Sequence, residues 1–359
     1  MKLILKKIYK KSLEKFFQFI YGEIYLQNKQ IKISKILSNI KLSKKKYYTY
    51  LIEKGRIFTD GIQNVSVIKK NFLLKECSFQ HAKNKIVNIT NNPVLKKGTP
   101  KIKIKFKGTV LNLLQGASSE NYFHWLFDLL PKIYICSKNY NLSKINYFYL
   151  SEPKNFQIQI LNFFGIKKNQ IISSKFYRHI EADQIIVVDH PWYKKGYFFK
   201  EFNQIPKWII WWLRNIFLNK KKKFNCGKKI FIDRSDSKFN HSQIINKNEV
   251  INFLKKKKFE IYKIAKMNFF KQVYLFYNAN FIISAHGAAL ANLVFCKSNT
   301  KIIEIKPETQ PGNYFKKISK INKLKYICMI NKIEKNSLKG DMIVSLKNLE
   351  KLIIKINKK

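Results

Sequence analysis

Residues 281–295 read FIISAHGAALANLVF, a strand-type apolar run that stops at a small-residue turn and continues as an Ala- and Leu-rich segment. The turn holds His286 and Gly287, and a second apolar run at residues 302–305 follows, with Glu304 as its single carboxylate. The pattern predicts a strand, a tight turn, a helix and another strand, which is a βαβ unit. In such units ligands bind at the carboxyl end of the strand, against the helix N-terminus, and a glycine lets the backbone approach them closely. We therefore expect this turn to hold a phosphate-bearing ligand.

The composition is that of a folded and very basic protein. The 359 residues suffice for two domains, and the hydrophobic content of 46% excludes a disordered chain. The net charge is +50, but 67 of the 71 basic residues are Lys and they are spread over the whole chain. This dispersion favours a solvated basic surface over a nucleic-acid footprint, so nucleic acid is a disfavoured partner, while weak attraction to an anionic membrane or glycan fits both interpretations. The four Arg, at 56, 178, 214 and 234, are expected where a planar fork is needed for phosphate or carboxylate.

Alternating strand-like and helix-like segments indicate an α/β protein. We place a Lys-rich helical/β extension, with helical spacing around Phe16–Tyr21, at residues 1–55, a first α/β domain at 56–222 and a second at 223–359, which ends in a helix over Leu346–Ile354. Further helices are expected from Tyr122 to about Cys136 and from Gln204 to Leu218.

One cluster lies on the first of these helices. His124 and Asp128 are four residues apart, so they share a helix face, and their neighbours are nearly all apolar. Two polar side chains on a buried helix need a partner or a ligand. They form either an internal hydrogen bond or a pocket wall in which one of the pair is a general base.

Two further clusters belong to the second domain. Arg234 comes directly after the predicted strand Lys229–Ile232, where an α/β domain places ligand contacts. It predicts a diphosphate clamp, or else a salt bridge to Asp233, Asp236 or Glu249. In the turn quoted above, His286 could donate to a phosphate at a helix N-terminus, and Glu304 could accept from ribose hydroxyls.

Several motifs are absent from the sequence. There is no Asp-x-Asp, no G-x-G-x-x-G and no G-x-x-x-x-G-K, which disfavours NAD enzymes and P-loop NTPases. A diphosphate would then be neutralised by Arg, His and helix N-termini, with no metal and no cofactor required. The five widely spaced Cys, the lack of a signal-peptide pattern and the lack of a long apolar segment predict a cytoplasmic protein.

Taken in order, these clusters resemble glycosyltransferase family 61, whose bacterial members are often capsular polysaccharide biosynthesis proteins. The matching pieces run from about residue 105 to 310, and they are Asn121–Trp125 with Asp128 and Pro131, Ile232–Ser235, Asn246 with Glu249, Ala285–Ala288 with Leu290 and Asn292, Phe295, and Ile303–Glu304. The resemblance implies a GT-B-like fold of two facing Rossmann-type domains. It also implies inverting, metal-independent transfer of a sugar from a nucleotide-diphosphate donor to a glycan or lipid-linked acceptor, in capsule or lipopolysaccharide synthesis.

The resemblance also assigns roles to residues of this chain. The donor-binding residues would be Arg234, His286, Gly287, Ala288, Asn292 and Glu304. On the acceptor side it implies Asn121, Tyr122 and Trp125, with His124 or Asp128 as the base. Family members often carry further Arg just before the position of Asn246, where this chain has Ser242–Ile245, so part of the phosphate clamp is either lost or supplied by a Lys.

Two other interpretations and one attachment hypothesis remain. The high positive charge and the aromatic content are also typical of a nucleic-acid-binding protein. The absence of the further Arg residues before Asn246 would also fit a glycan-binding relative that has lost catalysis. Peripheral attachment to the inner membrane face is expected through Trp208, Trp211, Trp212 and the run Lys220–Lys223.

Overall fold

The computed structural model describes residues 2–28, 35–43, 45–61, 64–82, 85–115, 120–192, 196–197, 204–219, 226–237, 241–334, 337 and 339–358. The chain forms two compact units, Met1–Glu201 (unit 1) and Phe202–Lys359 (unit 2). Both contain helices and strands, which confirms the α/β class.

Unit 1 is built on a mixed sheet of twelve strands within the described residues. Its strands are β1 (Tyr25–Leu26), β2 (Lys35–Leu42), β3 (Lys45–Thr59), β4 (Asn64–Lys69), β5 (Phe72–Leu73), β6 (Phe79–Ala82), β7 (Lys85–Ile86), β8 (Lys103–Asn112), β9 (Tyr147–Leu150), β10 (Ile171–Ser173), β11 (His179–Val188) and β12 (Gly196–Tyr197). The order along the main path is β10-β9-β8-β11-β3-β4-β6-β7-β12. The first four of these strands are parallel, and from β11 to β12 every pairing is antiparallel. The prediction of a Rossmann-type first domain is therefore correct only for the parallel part.

The helical spacing in residues 1–55 ends at residue 21 and strands follow it, which agrees with the helical/β extension that we expected. A helix covers Lys2–Tyr21, β2 and β3 follow it, and the boundary that we placed at residue 55 falls inside β3. β3 is rich in Tyr and β-branched residues, which favour strands, and it pairs with β11 through nine residues. Its Ile52 and Ile57 are fully buried and belong to the core of unit 1.

The helices of unit 1 follow the strands closely. The α-helices are Lys2–Tyr21, Val94–Lys97, Tyr122–His124, Leu130–Ser137 and Asn155–Phe163, with a π-helical turn at Trp125–Leu129 and 3-10 turns at Ile89–Asn91, Leu142–Lys144 and Lys168–Gln170. The predicted helix starting at Tyr122 is thus present, with the π turn in its middle.

In its described residues, unit 2 is a five-stranded parallel sheet with helical segments in its connections. Its strands are β13 (Lys229–Ile232), β14 (Glu260–Tyr262), β15 (Phe281–Ala285), β16 (Lys301–Pro307) and β17 (Lys325–Asn331), in the order β14-β13-β15-β16-β17. The first connection leads from β13 to β14 at one edge of the sheet. The second leads back to β15, which lies on the other side of β13. The strand order therefore reverses between β13 and β15, and doubly wound sheets bind ligands at the carboxyl ends of such a strand pair.

The helices of unit 2 include two that correspond to the predicted segments Gln204–Leu218 and Leu346–Ile354. The α-helices of this unit are Lys207–Leu218, Lys247–Lys256, Phe269–Asn278, Tyr314–Ile321 and Leu346–Lys358. The Ala- and Leu-rich segment Ala288–Phe295 is a 3-10 helix and not the α-helix that we expected.

The membrane attachment that we expected through three Trp is wrong for two of them. Trp208 and Trp212 are buried with 7% and 8% of their surface exposed, and only Trp211 faces outward. The run Lys220–Lys223 lies outside the described residues. Within the described part of the chain, no helix has the length and apolarity needed to cross a bilayer.

Candidate functional site

The carboxyl ends of β13 and β15 bring two predicted site residues together. Arg234 follows β13, and Gly287 follows β15. The guanidinium of Arg234 donates to the backbone carbonyl of His286 and, at 3.2 Å, to that of His241. No carboxylate of the described residues forms an ion pair with Arg234, so the salt bridge that we considered is not formed there. Burial lowers the pKa of Arg234 to about 10, which leaves it charged at neutral pH.

Gly287 is required by its backbone and by its neighbour. Its φ of +156° and ψ of 178° lie in a region that is essentially restricted to glycine. A Cβ atom at this position would overlap the guanidinium of Arg234. Gly287 and Ala288 are partly exposed, so the turn keeps backbone accessible at this edge.

All four Arg donate hydrogen bonds from their guanidinium groups to backbone carbonyls. Arg56 donates to Lys70 O at 2.8 Å, Arg178 to Asp60 O at 3.0 Å, and Arg214 to Val294 O and Cys296 O at 2.7 and 2.6 Å. Our expectation that Arg marks phosphate or carboxylate sites therefore overlooked this structural use. Arg234 differs from the other three by its place where the strand order reverses.

A second cation stands beside Arg234. A cleft with Arg234 on its wall is also lined by Ser242, Gln243 and Lys247. Lys247 begins the helix Lys247–Lys256 and is partly exposed. It is a Lys of the kind that would replace the missing Arg.

His286 is the centre of a buried hydrogen-bonded chain. Its Nδ1 lies 2.5 Å from Glu304 Oε1, so the ring donates to the carboxylate through this nitrogen. The hydroxyl of Tyr314 lies 2.8 Å from Nε2 of the same ring, and the hydroxyl of Tyr326 donates to Glu304 Oε2. Burial, reinforced by Glu304, raises the pKa of both Tyr hydroxyls, which keeps them protonated.

This chain of contacts bears on two predicted ligand contacts. Glu304 is 2% exposed and each of its oxygens already accepts a hydrogen bond, so it holds His286 in place and offers little to a ribose. A phosphate could reach Nε2 of His286 only where the hydroxyl of Tyr314 now lies.

Asn292 is part of the core of unit 2. It is fully buried and donates to Gln272 Oε1 at 3.1 Å and to Ala289 O at 3.2 Å. In this structure it supports the 3-10 helix and offers no surface to a donor.

In unit 1, Asp128 is the most heavily hydrogen-bonded of the predicted residues. It is fully buried and accepts from Nδ1 of His124, Nε2 of Gln115 and Nε1 of Trp192, each at 2.7 Å. Burial alone would raise its pKa, but the charges and hydrogen bonds of His124 and His190 outweigh it and lower the pKa well below the usual range. Asp128 is therefore an ionised carboxylate that fixes His124.

His124 is partly exposed, whereas Asp128 is fully buried. Its side chain is 14% exposed, and its Nδ1 is the ring nitrogen that lies against Asp128. The two polar residues thus form a hydrogen-bonded pair in which Asp128 holds the imidazole. The internal hydrogen bond and the pocket wall that we weighed as alternatives are both compatible with this geometry.

Local sequence explains why the helix deforms here. Pro131 has no N–H, so it cannot donate to Phe127 O as an α-helical residue would, and Nε1 of Trp192 donates there instead, at 3.1 Å. The π turn Trp125–Leu129 precedes this point, and π turns inside helices occur frequently at functional sites.

The three predicted acceptor-side residues occupy different environments. Asn121 caps the helix and accepts from the backbone N–H of Phe123 at 2.9 Å. Tyr122 is partly exposed and packs on Phe156. Trp125 is fully buried, so in this structure it contributes to the core of unit 1 and not to its surface.

Sequence reasoning missed the residues that come from the ends of β8 and β11. Gln115 follows β8, and His190 and Trp192 follow β11, its parallel neighbour. The signal was available, because polar residues directly after parallel strands gather at one sheet edge, and we used that rule only in the second domain.

A cleft of about 340 Å³ opens beside this network. Its walls include Tyr50, Ser78, Phe79, Asn112, Lys132, Asp189 and His190. Lys132 is 7% exposed and forms no hydrogen bond or ion pair with any described residue. Burial lowers its pKa to about 8, although Asp128 and Asp189 act in the other direction.

The matched family covers both parts of the candidate site. The model of the family described as Glycosyltransferase 61 matches residues 122–303, half of the chain. The chain belongs to glycosyltransferase family 61. No curated protein matches it.

This glycosyltransferase carries its candidate residues within the matched segment or next to it. The segment begins at Tyr122, includes His124, Asp128, Arg234, His286 and Gly287, and ends one residue before Glu304. Within the described residues of the glycosyltransferase, no group of three or more His, Cys, Asp and Glu is placed to hold a metal ion. Metal independence stays a prediction.

Proposed function

We propose that this glycosyltransferase moves a sugar from a nucleoside diphosphate to an acceptor hydroxyl, with inversion and without a required metal. The observation that carries the proposal is the meeting of Arg234 and Gly287 at the carboxyl ends of β13 and β15. A charged fork beside accessible backbone suits a diphosphate and its developing charge on departure.

The acceptor belongs with unit 1 in this proposal. His124, oriented by Asp128, removes the proton of the attacking hydroxyl, which is general-base catalysis. The cleft next to it suits a sugar, because ring hydroxyls both donate and accept. They would accept from the ammonium of Lys132 and donate to Asp189, between the aromatic walls of Tyr50 and Phe79.

The wider setting is proposed on the family alone. It comprises a glycan or lipid-linked acceptor, a cytoplasmic location, a bacterial capsule or lipopolysaccharide product and the GT-B arrangement that the resemblance implies.

The test is release of nucleoside diphosphate from single UDP-, GDP- and dTDP-sugars in EDTA, with and without a panel of glycan acceptors. We expect one donor to be consumed, and Arg234→Lys to slow the reaction by about 1.5–3 kcal/mol of lost charged hydrogen bonding, roughly 10- to 150-fold. Arg178→Lys is the matched control, since its fork serves a carbonyl in unit 1. An inverted anomeric configuration in the product, read by NMR, tests the stereochemistry.

Two outcomes would contradict the proposal. Nucleotide binding without turnover of any donor would indicate a degenerate glycan-binding relative. Salt-sensitive RNA binding without any nucleotide-sugar response would indicate a nucleic-acid-binding protein.

A further inference from the structure

The helix Lys2–Tyr21 exposes a stripe of large apolar side chains. Its exposed residues are Ile4, Leu5, Ile8, Tyr9, Phe16, Phe19 and Ile20, with 49–91% of their surface accessible. At 100° per residue, Ile4, Leu5, Ile8, Phe16 and Phe19 fall on one side of the helix. Scattered surface apolar residues are ordinary, but several large apolar side chains on one side of a helix, here interrupted by Ser12 and Lys15, mark an interaction surface.

The opposite side of the helix attaches it to unit 1. Phe17 is buried and stacks on Tyr21, whose hydroxyl accepts from the backbone N–H of Lys103 at 3.1 Å. Gln18 donates to Lys96 O at 3.2 Å. These contacts lie in the last turns, so the helix is held at its carboxyl end and its stripe faces away from the unit.

The positive charge of the helix indicates which kind of surface the stripe contacts. The helix carries six Lys and a single Glu. A second copy of a chain with net charge +50 would be repelled, whereas an anionic surface would be attracted. Nucleic acid would form ion pairs with the Lys side chains, but the apolar stripe would stay exposed to water. An anionic lipid surface satisfies both, because the apolar side chains enter the acyl boundary and the Lys stems extend to the headgroups.

We propose that the helix Lys2–Tyr21 lies in the plane of an anionic bilayer surface and attaches the protein there. The apolar stripe enters the interface, and Lys11 and Lys15, which lie on the edge of the stripe, contact the lipid phosphates. The attachment replaces the route through Trp208 and Trp212, which are buried, and it does not depend on the transfer reaction.

The test is flotation of the full chain with vesicles at physiological salt. We expect binding to vesicles of phosphatidylcholine with phosphatidylglycerol, and about tenfold weaker binding to phosphatidylcholine alone. The double variant Ile8→Ser/Phe19→Ser should lose about tenfold or more on anionic vesicles. Its matched control is Ile102→Ser/Phe176→Ser, which changes two equally exposed residues elsewhere in unit 1, at 71% and 73% exposure.

A second pair of variants separates the helix from the overall charge. Lys11→Gln/Lys15→Gln should weaken binding more than Lys255→Gln/Lys256→Gln, which removes the same charge from an exposed helix end of unit 2. Unchanged vesicle binding in the stripe variant would overturn the proposal. So would equal losses in the two Lys pairs, or a change in oligomeric state, seen by ultracentrifugation, without a change in vesicle binding. All substituted residues are exposed, and matching unfolding curves will show that the variants are folded.

Discussion

Arg234 lays its guanidinium against the backbone of Gly287, and no side chain fits between them. The two residues follow strands that are neighbours in the sheet but lie more than fifty positions apart in the chain. Gly287 has no side chain, and the guanidinium of Arg234 occupies the space that a side chain at this position would fill. The placement of the cation therefore depends on a residue that carries no charge.

The first prediction concerns this contact. In Gly287→Ala the new methyl displaces the guanidinium, so we expect nucleoside diphosphate affinity to fall by roughly 10-fold or more, as after loss of a charged hydrogen bond. Backbone strain adds about 1–3 kcal/mol of destabilisation. Calorimetric titration and urea unfolding measure the two effects separately.

Gly340→Ala is the matched control for strain. Gly340 is also in unit 2 and has a φ of +74°, but its Cβ would meet Pro307 at an ordinary 3.5 Å. It should lose stability and keep nucleotide affinity. If Gly287→Ala lowered affinity further in an Arg234→Ala background, the two residues would act independently and the account of their contact would be wrong.

The second prediction concerns the hydroxyl that covers His286. If a phosphate contacts Nε2 of His286, it must replace the Tyr314 hydroxyl that lies 2.8 Å away. Tyr314→Phe should therefore leave nucleotide affinity equal or higher, whereas His286→Ala should lower it about tenfold. Tyr326→Phe, which removes the hydroxyl at the far side of Glu304, is the control and should not raise affinity. A loss in Tyr314→Phe as large as in His286→Ala would instead make Tyr314 the ligand contact.

The third prediction separates the roles of His124 and Asp128. Asp128→Asn keeps the shape of the side chain but loses the charge that orients the imidazole, so kcat should fall by roughly 100-fold or more. Donor affinity should be unchanged, because donor binding is assigned to unit 2. Gln115→Leu removes one hydrogen bond to Asp128 and leaves the His124 contact, so its effect on kcat should be much smaller. Equal losses in the two variants would show that the network only supports the fold.

The fourth prediction follows from the lowered pKa of Lys132. With a folded-state pKa of about 8 and an unfolded value near 10.5, the unfolded chain binds more protons between these pH values. The wild type should therefore gain stability as pH rises through this window. Lys132→Met should be more stable at pH 7 by on the order of 3 kcal/mol, and this advantage should shrink toward pH 10.

Lys138→Met, on the exposed end of the same helix, controls for loss of charge. Urea unfolding across this pH range measures the difference between each variant and the wild type. An advantage of Lys132→Met that persisted unchanged at pH 10 would mean that burial of the charge is not its cause.

Sequence patterns located most of unit 2 because its buried parallel strands read as apolar runs. The runs at 229–232, 281–283 and 302–305 correspond to β13, β15 and β16. β17, an edge strand whose residues are mostly half-exposed, was not predicted, although Tyr326–Ile330 is an uninterrupted hydrophobic run. The residues Ala288–Phe295 favour helix, but sequence propensity does not distinguish an α-helix from a 3-10 helix.

Contacts between distant segments limited the prediction of the site. The pairing of His124 with Asp128 followed from their spacing of four residues. Trp192, 64 positions from Asp128, reaches it only because β8 and β11 are adjacent and parallel, which no local pattern states. The bond between His286 and Glu304 likewise depends on the register of β15 and β16.

The central claim is a donor site built on Arg234, and thermal stabilisation by a panel of nucleotides and nucleotide sugars in EDTA tests it most directly. We expect one nucleoside diphosphate and its sugars to raise the Tm of the wild type, and the shift to vanish in Arg234→Ala. A shift of equal size in Arg234→Ala, or no shift with any nucleotide, would contradict the account.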